Sequence, residues 1–162
     1  MSKKGWMQRK KKEARDNLKR ELLEYGGIYC AAYELTISGL PKPYRFNNTV
    51  WAPNEDNALD QIQENVRAIA ADIRISNGLT PEAHVDANMK AGGLVHETCH
   101  CEEVAGGTWR ATSIEGTQAT GSDEQAARYA LMYVILERMV SQSKVRRALE
   151  KALAVAKKEQ EA

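Results

Sequence analysis

At 162 residues, 43% apolar and 28% charged, the chain is long enough to bury a core unaided and has the make-up of one ordinary globular domain. Three cysteines, no leader-like apolar start and no apolar run near the ~18 residues of a membrane helix argue against a disulfide scaffold, a secreted protein and a membrane span, so the expected setting is a reducing cytoplasm with no membrane partner. The net charge of +1 hides an asymmetry: residues 1–20 hold nine Lys/Arg against two acids, residues 21–143 eight against 17, and residues 144–162 six against three.

Residues 8–25 predict a helix, because Met7, Ala14, Leu18, Leu22 and Tyr25 recur at helical spacing on a basic rod that Gly26-Gly27 ends. Ile28 to Ser38 alternates and is rich in Tyr, Ile and Thr, which predicts a strand. The prolines of Gly39-Leu40-Pro41-Lys42-Pro43 predict a turn, and Tyr44 to Trp51 the returning strand. Asn54 is a helix cap followed by Glu55 and Asp56, with Leu59, Ile62, Val66, Ile69 and Ile73 as the buried stripe.

Asn77-Gly78 closes that helix, and Thr80-Pro81 predicts a short one that runs to Gly92-Gly93. Leu94 to Val104 and Thr108 to Ile114 predict a hairpin about Ala105-Gly106-Gly107, and residues 116–121 a loop. Ser122 is the expected cap of the next helix, whose residues 126–136 are apolar almost all round and read as central and buried. Ser141-Gln142-Ser143 breaks it, and Val145, Leu149, Leu153 and Ala156 give a last amphipathic helix with basic outer positions.

The expected fold is therefore α+β. Two ββα units form a four-stranded antiparallel sheet with helices on one face, and basic N-terminal and C-terminal helices are added to it. The expected division is a basic helix over 1–25, an α+β core over 26–143 and a basic helix over 144–162. Within the core, residues 28–75 and 94–140 read as a ββα repeat, since Tyr44-Arg45 matches Trp109-Arg110 and the acidic helix start at Asn54 matches that at Ser122.

Four of the six Cys and His residues fall in His96-Glu97-Thr98-Cys99-His100-Cys101. On a helix this is H-E-x-x-H, with His96 and His100 as zinc ligands and Glu97 as the base of a small zinc-dependent hydrolase. The third ligand would then be an acid such as Glu115 or Glu124. The surrounding Val95, Thr98, Cys99, Cys101 and Val104 prefer strands, and Gly92-Gly93 is a poor helix start. The favoured reading is thus an extended segment with no metal, whose thiols act as small hydrophobes.

The strand hairpin followed by Gly121-Ser122-Asp123-Glu124-Gln125-Ala126 resembles the last portion of double-stranded-RNA-binding domains, which carry G-x-S-K-K-x-A there. The two lysines that grip phosphate in that family stand here as Asp123 and Glu124. The resemblance therefore implies shape and not RNA contact at this position. Glycine-rich phosphate loops, nucleophile elbows and C-x-x-C pairs are absent from the sequence.

The functional reading rests on charge. Cations neutralise phosphates and release counterions, and an aromatic ring beside them stacks on bases. The expectation is a non-enzymatic binding protein with no cofactor, contacting nucleic acid or an acidic protein surface through Trp6, Lys10, Lys11, Lys12, Arg15, Lys19, Arg146 and Arg147. The basic ends of one copy facing the acidic middle of another predict a homo-oligomer. The profile suits a small accessory or inhibitor protein of a mobile element such as a phage.

Overall fold

A computed structural model describes residues 2–90, 95–96 and 99–162, with backbone alone at 95, 96 and 99. The described residues are a mixture of α and β, divided between two compact units: residues 28–98, and residues 1–27 together with 99–162.

The first unit is built on the long strand β1 (Gly27–Ile37). It lies between β2 (Tyr44–Ala52) and β3 (Val85–Met89), while the short β4 (Val95–His96) also pairs with it. Residues 33–37 of β1 take β3, with Tyr33 opposite Met89, and Tyr29 and Cys30 take β4. Period-2 alternation sends Ala31, Tyr33, Leu35 and Ile37 to one face, where Ala58, Ile62, Val66 and Ala70 of α2 (Glu55–Ser76) cover them. Asn54 caps α2 by accepting from the Asn57 amide at 2.9 Å. On the opposite face Glu34 accepts from Arg45 Nε at 2.7 Å and pairs with Lys90 at 2.8 Å, so one carboxylate ties β1 to β2 and to the end of β3.

In the second unit β5 (Cys99–Glu103), β6 (Trp109–Ser113) and β7 (Gln118–Gly121) form an antiparallel meander, with Cys101, Ala111 and Ala119 in one row. Ala127 and Leu131 of α3 (Glu124–Val140) pack on that row. Helices α1 (Lys3–Tyr25) and α4 (Ser143–Glu161) pack against α3 and each other. Their buried stripes include Leu22 on α1 and Leu149, Leu153 and Ala156 on α4.

Several expectations are corrected. The strands do not join into one four-stranded sheet. Both edges of β1 are occupied within the first unit, which leaves β5, β6 and β7 to pair among themselves. The segment 85–89 is a strand and not part of a helix: Thr80-Pro81 makes only a turn (Ala83 amide to Thr80 carbonyl, 3.1 Å), and Val85-Asp86-Ala87-Asn88-Met89 alternates along the open edge of β1. Residues 118–121, expected as loop, are the third strand of the meander. Residues 94–104 are not one strand, since 95–96 belong to the first sheet and 99–103 to the second; residues 97–98 lie outside the described residues. Helix α1 starts at Lys3, several residues earlier than expected, because Ser2 Oγ accepts from the Gly5 amide at 3.1 Å. The cap of α3 is Asp123 and not Ser122, its Oδ1 accepting from the Ala126 amide at 2.7 Å.

Gly121 marks the junction where β7 meets α3. A Cβ there would lie 2.4 Å from the Ala127 nitrogen and 2.7 Å from the Ala126 carbonyl carbon, both backbone atoms that cannot swing aside. Gly121→Ala is therefore expected to lower stability by about 2–3 kcal/mol, read as a shift in the urea midpoint at unchanged slope. A neutral effect would mean that the helix does not approach the strand this closely.

Candidate functional site

Helix α1 has two halves with different surroundings. From Ser2 to Ala14 every residue is exposed except the half-buried Gly5. Lys3, Lys4, Arg9, Lys10, Lys11 and Lys12 lie in that half, and no acid occupies its first turn. Lys3 and Lys4 sit at the positive end of the helix dipole, so charge and dipole add to one positive potential. Trp6 is 53% exposed, with Lys10 Nζ 5.8 Å from its ring centroid.

The second half of α1 is packed, and its anchor is Lys19. This side chain is only 4% exposed. Its Nζ lies 2.5 Å from Glu137 Oε2 on α3, 3.1 Å from Asp16 Oδ1 and 4.3 Å from the Tyr133 ring centroid. Tyr133 in turn donates its hydroxyl proton to the Asp16 carbonyl at 3.3 Å. Burial alone would push the Lys19 ammonium down, but hydrogen bonds to Glu137 and Asp16 outweigh it and hold the group above its usual range. The Lys19 hydrogen bond likewise holds the Asp16 carboxyl below its usual range. Lys19 thus fastens α1 to α3. Lys19, nominated from sequence as a contact residue, is buried and has its ammonium paired with carboxylates inside the protein.

On α4, Lys144, Arg147, Lys151 and Lys158 are exposed, and their spacing sets them in one stripe opposite the buried Leu149, Leu153 and Ala156. Arg146 lies to one side of that stripe. It donates from NH1 to the Val140 carbonyl at 2.9 Å and holds Nε 3.8 Å from Glu150.

Between α1 and α4 runs a groove of about 620 Å³, lined by Lys11, Ala14, Arg15, Asn17, Leu18, Glu21, Arg146 and Glu150. The Lys157–Glu21 ion pair and the Tyr25–Glu161 hydrogen bond (3.3 Å) tie the same two helices further along. Arg15 Nε is buried without a hydrogen-bond acceptor, its nearest carboxylate oxygen being Glu137 Oε1 at 4.0 Å. The groove gathers three of the residues nominated from sequence, Lys11, Arg15 and Arg146, from opposite ends of the chain. Trp6, Lys10, Lys12 and Arg147 do not line it. Lys4 shares the Lys11 face at i, i+7, and Lys144 and Lys151, not nominated from sequence, lie on the exposed stripe of α4.

The charge divides by unit. The unit of residues 1–27 and 99–162 carries 18 Lys/Arg against 13 Asp/Glu, and residues 28–98 carry five against nine.

The zinc alternative lacks its helix: His96 lies on β4 and His100 on β5. Glu97 and the side chain of His96 lie outside the described residues. His100 is exposed, with Nε2 3.9 Å from Glu102 Oε2, and Glu102 is itself bound to Arg110. Among the described residues no three His, Cys, Asp or Glu side chains gather around a point where an ion could sit, and no helix is long and apolar enough to cross a membrane. Comparison with protein-family models, curated proteins and solved structures finds no match to this chain.

Lys19→Met leaves Asp16 and Glu137 facing each other without their cation. Because both carboxylates are partly open to water, the expected loss is about 2 kcal/mol, below the cost of a fully buried pair. The Asp16 carboxyl is depressed in the folded state, so its contribution is complete above the ordinary value of 3.8 and lost as pH falls through the lower folded value. Wild type should therefore lose stability with acid more steeply than Lys19→Met, measured by thermal unfolding from pH 6 to pH 2. Parallel curves would show that Lys19 does not hold Asp16.

Proposed function

We propose that this is a non-enzymatic binding protein that holds nucleic acid by its phosphates, using the basic face of α1 and the groove between α1 and α4. The observation that carries this reading is the meeting of Lys11, Arg15 and Arg146 along one groove. Guanidinium and ammonium donors suit phosphate oxygens. Lys4 and Lys11 extend the same face toward the amino end of α1, where the helix dipole adds to the attraction. A row of cations on helix faces positions a phosphate backbone without reading bases, so the binding is salt-dependent and tolerant of sequence.

A second reading has a specific observation in its favour, the opposite net charges of the two units. The basic unit of one copy meets the acidic unit of another, and the protein self-associates at low salt. Mass measured by light scattering at low and high salt distinguishes it, since this assembly needs no nucleic acid and falls apart as salt rises.

Labelled DNA and RNA titrated with the protein test the main reading by fluorescence anisotropy. The plot of log affinity against log salt should be linear. The double variant Lys4→Ala/Lys11→Ala should reduce its slope by about two, one for each phosphate contact removed. Lys42→Ala, an exposed change in the acidic unit, should leave the slope unchanged. Absence of binding to either nucleic acid at about 50 mM salt would refute the proposal, because non-specific phosphate contacts are strongest there.

A further inference from the structure

We propose that Tyr129 and Tyr133 on α3 form a stacking platform for unpaired bases, so that the nucleic acid held by the basic helix is single-stranded. This rests on the reading above and adds the class of nucleic acid to it. The two tyrosines stand at i, i+4, with ring centroids 5.9 Å apart and ring planes 28° apart. Tyr133 is fixed from α1 by the Lys19 ammonium beside its ring and by the bond from its hydroxyl to the Asp16 carbonyl. Tyr129 rests on Tyr133 and is 50% exposed. A ring fixed in advance loses little freedom when a ligand stacks on it.

The platform opens into a groove of about 670 Å³ between α1 and α3, lined by Lys19, Tyr129, Tyr133, Val134, Glu137 and Arg138. Its walls are mainly apolar, and Val134 is exposed in it as well. The charges at its edges set the occupant. Glu137 is compensated by Lys19 at 2.5 Å and faced by Arg15 at 4.0 Å. Arg138, held by a 2.8 Å hydrogen bond from NH1 to Thr117 Oγ1, adds a further cation. An apolar slot with aromatic rings and a positive margin fits a base whose phosphates lie alongside. Bases in a duplex are stacked on one another and present only their edges, so they cannot lie flat on Tyr129. Lys12 stands seven residues before Lys19 on the same face of α1, so one strand can run from the basic arm into this groove. Stacking accepts every base, in keeping with phosphate contacts that carry no sequence preference.

The test compares a labelled single-stranded oligothymidylate with a duplex of the same length by fluorescence anisotropy, at one low salt concentration. Tyr129→Leu keeps an apolar side chain at an exposed helix position, and Tyr129→Phe keeps the ring. Wild type should favour the single strand. Tyr129→Leu should weaken that binding about tenfold, the scale of one stacked base, and leave duplex binding unchanged, while Tyr129→Phe should bind as wild type does. Ultraviolet cross-linking followed by mass spectrometry should place thymidylate on Tyr129. If single strand and duplex bind equally and Tyr129→Leu changes neither, while Lys4→Ala/Lys11→Ala still lowers the salt slope, the platform is refuted and the phosphate-binding reading stands. If wild type binds neither, both readings fall.

Discussion

Removing an ammonium from water costs several kcal/mol unless anions meet it at close range, and this protein places one such ammonium, that of Lys19, at the contact of α1 with α3. The anions come from both sides, Asp16 on α1 and Glu137 on α3, and the Tyr133 ring adds a third partner. Because that arrangement tolerates little rotation, it fixes how α1 is turned about its axis. The turn sets Lys11 and Arg15 toward the groove with α4 and Lys12 toward the side of α3. A helix held by Leu22 and its apolar neighbours alone could slide or roll, since a narrow aliphatic stripe has no directional preference. The exposed contacts of α1 with α4, Lys157–Glu21 and Tyr25–Glu161, add little energy and cannot replace it.

The basic unit is assembled from both ends of the sequence, with residues 28–98 folded as a unit between them. The pairing of edges explains this division. Strand β1 is 11 residues long, and its open edge is filled by two short strands, β3 and β4. With no edge left on β1, the chain starts a second sheet at Cys99. Its meander needs only short turns, and Gly106 and Gly107 take positive φ in the first of them. Gly121 then lets α3 turn back closely enough to cover Ala111, and α3 in turn supplies Glu137 to Lys19.

Helices α2, α3 and α4, strands β1 and β2 and the 105–107 turn were legible because each rests on local signals: a cap, a period or a glycine. The strand at 85–89 was missed through the weight given to Thr80-Pro81 as a helix start. The alternation of Val85-Asp86-Ala87-Asn88-Met89-Lys90 is nevertheless visible in the sequence. The meeting of β4 and β5 with different sheets has no local signature, because it depends on which edges are already occupied. In the candidate site, the sequence shows where cations are dense but not which are already paired. Lys19 looks like its neighbours until Glu137 is seen beside it, 118 residues away in the chain. The Tyr129–Tyr133 pair was hidden for a related reason: α3 is apolar nearly all round, so its sequence marks no exposed face.

The first half of α1 poses a question of stability. Most helices are held by a buried face, and short ones are marginal without it. Residues 2–14 bury almost nothing. Lys3 and Lys4 oppose the dipole, while Arg9–Lys12 at i, i+3 and Lys11–Arg15 at i, i+4 place like charges together, each such pair costing a few tenths of a kcal/mol. The Ser2 cap and the Lys10–Glu13 pair act against this. A polyanion changes the sign of the balance, since a phosphate between two cations turns their repulsion into shared attraction and a phosphate near Lys3 and Lys4 favours the dipole. Under the proposed phosphate binding the helix would be most stable when its charge is met from outside, and ordering of this segment would be coupled to occupation of the face it carries.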